Sequence, residues 1–117
     1  MLKKDGMLVF NILEAAEKVI KFSGGFNDYR EMSDDAVSFD AILMNFIVIG
    51  EMASKLSDEF RQTVHNIEWR KIIAFRNIIA HEYFGIDPEE VWEIIHTKVP
   101  DLIEELKKVS DRSDRPE

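Results

Sequence analysis

The sequence predicts an all-α protein: a compact, mainly antiparallel bundle of about five helices in one domain over residues 1–109, followed by a polar tail over 110–117. Three observations carry this. Gly and Pro are scarce, at 5 and 3 of 117 residues. No long stretch alternates with period two, and apolar residues recur at helical spacing instead. The length allows one core but not two, and a chain 45% hydrophobic and 32% charged has the balance of a soluble globular protein rather than a disordered one.

The first helix is expected over Gly6–Phe22, where Leu8, Ile12, Ala15, Ala16, Val19 and Ile20 share a face. Ser23-Gly24-Gly25 should end it, with glycine supplying a left-handed turn. Residues 26–32 read as a loop. Ser33 is then a good N-cap, followed by Asp34 and Asp35 at the favourable end of the dipole. The second helix continues to Leu56. Its middle, AILMNFIVIGEMA, is apolar nearly all round, which makes it the central, most buried helix. Gly50 costs it roughly 1 kcal/mol relative to Ala, a cost that close approach by another helix would explain.

Ser57 caps a short third helix to His65, and residues 66–68 form a turn. The fourth helix covers Trp69–Phe84, WRKIIAFRNIIAHEYF, and Gly85 stops it. Asp87-Pro88-Glu89-Glu90 reads as a helix start, with Asp at the N-cap, Pro at the first position and Glu90 placed for a capping box. The fifth helix should run to Val109, kinked or briefly broken at Pro100.

Composition narrows the function. There is no cysteine, hence no thiolate zinc site and no cysteine nucleophile. The N-terminal stretch is interrupted by charges throughout and reads neither as a signal peptide nor as a membrane span, so a cytoplasmic setting away from membranes is expected. A net charge of −8 argues against a protein that coats nucleic acid. The charge is uneven, however. Residues 60–85 hold four basic against two acidic groups, whereas 86–106 hold one basic against seven acidic ones. A focused phosphate contact in the first stretch is compatible with this; broad electrostatic binding is not.

The fourth helix carries the specific signal. With Arg76 at zero degrees and about 100 degrees per residue, Ile72, Phe75, Ile78 and Ile79 fall on one face, which should be core. Asn77 and His81 lie one turn apart on another face, and Tyr83 returns to within about 20 degrees of Arg76. Arg76, Asn77, His81 and Tyr83 thus share a broad polar wedge with Trp69, Ile73 and Ala80, and Ala80 leaves room beside them. Glu82 points toward the apolar face and should escape as the helix ends. Arg offers a fixed fork of donors to phosphate oxygens and can stabilise charge in a transition state. His can exchange a proton with a ribose hydroxyl or a leaving oxygen near neutral pH, a route that needs no metal. Against this stands the plainer interpretation: an Arg and a His on one helix are more often a surface pair or a satisfied core pair.

RNIIAHEYFG resembles the R-x-x-x-x-H-x-Y signature of HepT-like toxins, within the HEPN superfamily of helical ribonucleases. IGEMASKL (Ile49–Leu56), IEWRKIIAFRN (Ile67–Asn77) and YFGIDPEEVWEII (Tyr83–Ile95) resemble further blocks of that family in order and spacing. The resemblance covers nearly all of the chain after the first ten residues. The family's proline before Trp69 is missing, and Met52 replaces its alanine; neither departure touches the signature. The resemblance implies a homodimer whose two motifs face each other across a cleft, and it allows a higher assembly with an antitoxin. It implies metal-independent RNA cleavage without a cofactor, with Arg76 and His81 as the catalytic pair and Asn77 orienting them. It also implies a minimal nucleotidyltransferase antitoxin that transfers AMP from ATP to Tyr83, blocking the cleft by bulk and charge.

Weaker signals remain. Glu51, in the apolar second helix, could hold Arg76 in place or simply face solvent. Asn45 is expected to make a helix-to-helix hydrogen bond. Glu93-x-x-His96 has di-iron spacing but occurs once, so His96 reads as a surface residue. His65 has no evident partner. Trp69 and Trp92 read as core or interface anchors. No phosphate loop, nucleophile elbow or H-E-x-x-H motif is present, so nothing supports ATP binding by the chain itself. Two other functions compete: a non-catalytic helical dimer that binds a nucleotidyltransferase or another protein, and a metal-carboxylate bundle.

Overall fold

The structure, a computed structural model, describes residues 2–113. It is all-α, with six helices where about five were expected: α1 (Lys3–Ser23), α2 (Tyr29–Asp34), α3 (Ala36–Lys55), α4 (Asp58–Thr63), α5 (Trp69–His81) and α6 (Pro88–Ser113), with a 3-10 turn at Tyr83–Gly85.

The extra helix is α2, which lies where a loop was expected. It is too short for periodicity to register, but Asp28 caps it by accepting from the Glu31 amide at 2.9 Å. In consequence Ser33 is not an N-cap. Asp35 starts α3 instead, accepting from the Ser38 amide at 3.0 Å. The glycine turn after α1 also differs from expectation. Gly24 keeps right-handed dihedrals, and no described residue has positive φ.

Other ends fall where local chemistry puts them. The Ser57 hydroxyl accepts from the Phe60 amide at 3.1 Å and donates to the buried Asp5 at 2.7 Å, tying the start of α1 to α4. Asp87 accepts from the Glu89 amide at 3.0 Å at the head of α6. Pro100 does not interrupt α6, which continues to Ser113 over the start of the expected tail; residues 114–117 lie outside the described residues.

α3 is the central element. It packs against α1 on one flank and α5 on the other, while α6 lies across α1 and α2. Asp5 reaches Ser57, just beyond the C-terminal end of α3, so α1 and α3 run antiparallel. By length and composition α3 is apolar enough to cross a membrane. Here Ile42, Leu43, Phe46, Ile49 and Ala53 enter the core with Ile12 and Ile79. It is not buried all round: Val37 and Met44 are 82% and 58% exposed. Asn45 donates to Ala41 of its own helix at 2.8 Å and not to a neighbouring helix.

Gly50 behaves as expected. A Cβ there would stand 2.2 Å from the Arg76 Cβ, so the two backbones are closer than any side chain allows. α5 and α6, by contrast, barely touch. Between them lies an open groove of about 600 Å³ lined by Phe46, Ile72, Phe75, Ile78, Ile94 and Leu102. The α5 face expected to be core is therefore only partly so. Ile79 is fully buried, while Ile78 is 45% exposed.

Candidate active site

α5 is held at its start by Trp69, buried, whose indole N–H donates to the Val64 carbonyl at 3.0 Å. Glu68, just before the helix, bridges Lys71 at 2.7 Å and Lys98 at 3.0 Å. Hydrogen bonds from these two ammonium groups, that of Lys71 foremost, hold its carboxyl below the usual range. From that anchor the helix runs antiparallel to α3, because Gly50 meets Arg76 and Asp40 meets Tyr83.

Arg76 is constrained on two sides. One guanidinium nitrogen (Nη2) lies 2.8 Å from Glu51 Oε2, and the other (Nη1) donates to Asn77 Oδ1 at 2.8 Å. Its Nε–H is buried and unpaired among the described residues. The expected contact between Glu51 and Arg76 is thus present, and Gly50 explains how: with no side chain there, the stem of Arg76 lies directly on α3. The Arg76 side chain as a whole remains about one-third exposed.

His81 is the last residue of α5, exposed, with no hydrogen-bond partner among the described residues. α5 ends here and not at Phe84. Glu82 adopts non-helical dihedrals, its N–H still bonding the Ile78 carbonyl at 2.8 Å, and Tyr83 enters the 3-10 turn. Glu82 is exposed, as the helix end allows. The early end re-aims Tyr83. Its hydroxyl donates to Asp40 of α3, and Phe84 packs edge-on against its ring at 5.5 Å. The hydrogen bond to the Asp40 carboxylate, with burial second, pushes the phenol up to about 12.

Asp40 was not singled out from the sequence. It lies three helical turns before Glu51, within about 20 degrees on the same face of α3. The two carboxylates therefore clamp two residues of the motif, Arg76 at one end and Tyr83 at the other. Met44 and Ile47 lie between them on that face, an apolar strip flanked by the clamps. The recurrence of acids at that spacing in an otherwise apolar helix is the sequence signal that could have found Asp40.

Arg76, Asn77 and Tyr83 are thus brought together along the α3–α5 seam. His81 stands apart from Arg76, about 140 degrees around α5 and about 7.5 Å along it. The groove between α5 and α6 is lined by none of the four. His96 is exposed and rests on Trp92, with ring centroids 4.3 Å apart, and His65 is exposed beside its turn.

This arrangement can hold an anion on a fixed guanidinium and offer an unencumbered imidazole nearby. A family model described as "Ribonuclease HepT-like" matches residues 12–109. A Methanocaldococcus jannaschii protein named "Putative RNase" is 33% identical over 101 residues, covering 86% of this chain and 92% of its own length. A second "Putative RNase" from that organism is 30% identical over 93% of this chain and 90% of its own length. A Thermococcus cleftensis protein named "Probable ribonuclease HepT" is 27% identical over 85% of this chain and 89% of its own. No solved structure matches the chain.

Proposed function

The chain belongs to the HepT-like ribonuclease family, of the HEPN superfamily, and we propose that it is a metal-independent RNA endonuclease acting as the toxin of a toxin–antitoxin pair. The observation that carries this reading is the condition of two side chains on α5. Arg76 is pinned by Glu51 and Asn77 yet partly open to solvent, and His81 on the same helix is exposed and unbonded among the described residues.

In the proposed reaction the His81 imidazole takes the proton of a ribose 2′-hydroxyl, whose oxygen attacks the adjacent phosphorus. The 5′-oxygen leaves and takes up a proton. The products are a 2′,3′-cyclic phosphate and a 5′-hydroxyl end. Arg76 holds the non-bridging oxygens as their charge grows. The nucleophile is the substrate's own hydroxyl, so no metal-bound water is required. Glu51 and Asn77 fix the guanidinium plane before RNA arrives.

The angle between Arg76 and His81 supports a homodimer. Side chains about 140 degrees apart on one helix meet one phosphate most readily when a second copy faces them, so Arg76 of one protomer would work with His81 of the other. A nucleotidyltransferase antitoxin would silence the cleft by transferring AMP to Tyr83, placing bulk and negative charge beside Arg76. The exposure of Tyr83's surroundings, with Phe84 wholly solvated, supports access by such a partner.

The test is the intact mass of the chain expressed with and without a minimal nucleotidyltransferase, each form then assayed on total cellular RNA. The unmodified chain should cut RNA and arrest growth, the co-expressed chain should gain whole AMP units and lose cleavage, and Arg76→Ala and His81→Ala should abolish cleavage while remaining folded. Wild-type cleavage by both mutants would sink the catalytic assignment. The net charge of −8 favours a second reading, a non-catalytic helical dimer that binds the nucleotidyltransferase; tight binding of that partner by a chain that never cuts RNA would establish it.

A further inference from the structure

We propose that Asp40 is the general base for modification of Tyr83, receiving the phenol proton as that oxygen attacks the α-phosphorus of a nucleoside triphosphate. The inference rests on the reading of Tyr83 as the acceptor of AMP and assigns this chain, not only its partner, a share of that chemistry.

The geometry is direct. Asp40 is on α3 and Tyr83 on the turn after α5, 43 residues apart in sequence, and the phenol donates to the carboxylate. The carboxylate is exposed, so a proton it receives can pass to water. The ring of Tyr83 is half-buried, and the hydrogen bond to Asp40 fixes the direction in which its oxygen points. A neutral phenol is a poor nucleophile, and a phenol bonded to a carboxylate ionises even less readily, as the shift to about 12 reflects. Spontaneous phenolate is therefore unavailable near neutral pH. The oxygen becomes strongly acidic only as its bond to phosphorus forms, and at that moment the group already holding the proton is Asp40.

The step balances without further reagents. The Tyr83 oxygen–phosphorus bond forms, the α–β anhydride bond breaks, and pyrophosphate leaves with the divalent cation that accompanied the triphosphate on the transferring partner. The proton moves to Asp40 and then to water. Once esterified, the tyrosine oxygen has no proton to donate, and its phosphodiester faces an ionised Asp40. The modified side chain is thereby released from α3.

A purely structural role for Asp40 predicts something different. Asp40→Asn keeps an oxygen that accepts from the phenol but cannot take its proton. The experiment incubates wild type, Asp40→Asn, Asp40→Glu and Tyr83→Phe with the nucleotidyltransferase, magnesium and ATP, and follows intact mass against time across a pH series. Tyr83→Phe should gain no AMP. Asp40→Asn should be modified about 100-fold more slowly than wild type at neutral pH, its rate climbing about tenfold per pH unit as phenolate takes over, and Asp40→Glu should recover part of the rate. Modification of Asp40→Asn at the wild-type rate overturns the role of Asp40 and leaves the regulatory reading intact. A wild-type chain that gains no AMP at Tyr83 overturns both.

Discussion

Glu51 and Arg76 form an ion pair whose partners are about one-third exposed, so its net worth to stability is small, on the order of 1 kcal/mol or less. Its worth to geometry is larger, because a guanidinium free to rotate would meet phosphate in many orientations. Glu51→Gln is therefore expected to slow RNA cleavage about tenfold while barely moving the melting temperature, which a cleavage time course and a thermal melt on one sample would show. Tyr83 gives a second prediction. Its folded pKa, about 12, lies above the ordinary 10.0. The Asp40 bond thus contributes stability that is fully present below about pH 10 and is lost as pH rises through about 12. Alkaline titration should show Tyr83 ionising well above the ordinary 10.0, and Asp40→Asn should bring it down toward that value. Ionisation of Tyr83 at the ordinary value in wild type would contradict the contact. Arg76, Asn77, His81 and Tyr83 were legible from sequence because they sit within eight consecutive residues. Asp40 was not, because its partner lies 43 residues away and only its spacing from Glu51 along α3 marks it out.

Gly50 is where the α3–α5 pairing is decided. In an isolated helix Gly50→Ala would stabilise by about 1 kcal/mol. Here the new Cβ would meet the Arg76 Cβ and Cγ at 2.2 and 2.8 Å, and a Cβ cannot swing away from its own backbone. The substitution should therefore destabilise the fold by about 1–3 kcal/mol and displace Arg76, lowering cleavage as well. Denaturant midpoints that rise instead of falling would show the helices can part freely. Local chemistry made other features of these elements readable in advance: the Ser57 and Asp87 caps, and a glycine demanding a close neighbour. What escaped was of two kinds. α2 is a helix of six residues, under two turns, too short for an apolar stripe. The outer face of α5 is apolar at Ile72, Phe75 and Ile78, but periodicity tells which residues share a face and not what covers it. In this chain α6 does not come close enough to do so.

At the scale of the molecule, the dimension to test is the number of copies that make one site. If Arg76 and His81 act across a two-fold axis, mixing Arg76→Ala and His81→Ala chains should restore about one quarter of wild-type cleavage, since half the random dimers are mixed and each has one intact site. A mixture as inactive as its components would place both residues of a site on one protomer. The central position of α3 has a further consequence, during manufacture of the chain. α1 leaves the ribosome before α3 and can cover one flank at once, but α5 comes later, so the other flank waits. A nascent chain halted before Trp69 displays a twenty-residue apolar helix with one side bare. Such a fragment lacks every residue of the α5 motif, and its bare apolar flank makes it the form most prone to aggregate. The same thirteen residues that bring Arg76 and His81 also cover the waiting flank of α3, so translation delivers the candidate site and the missing wall of the core in one step.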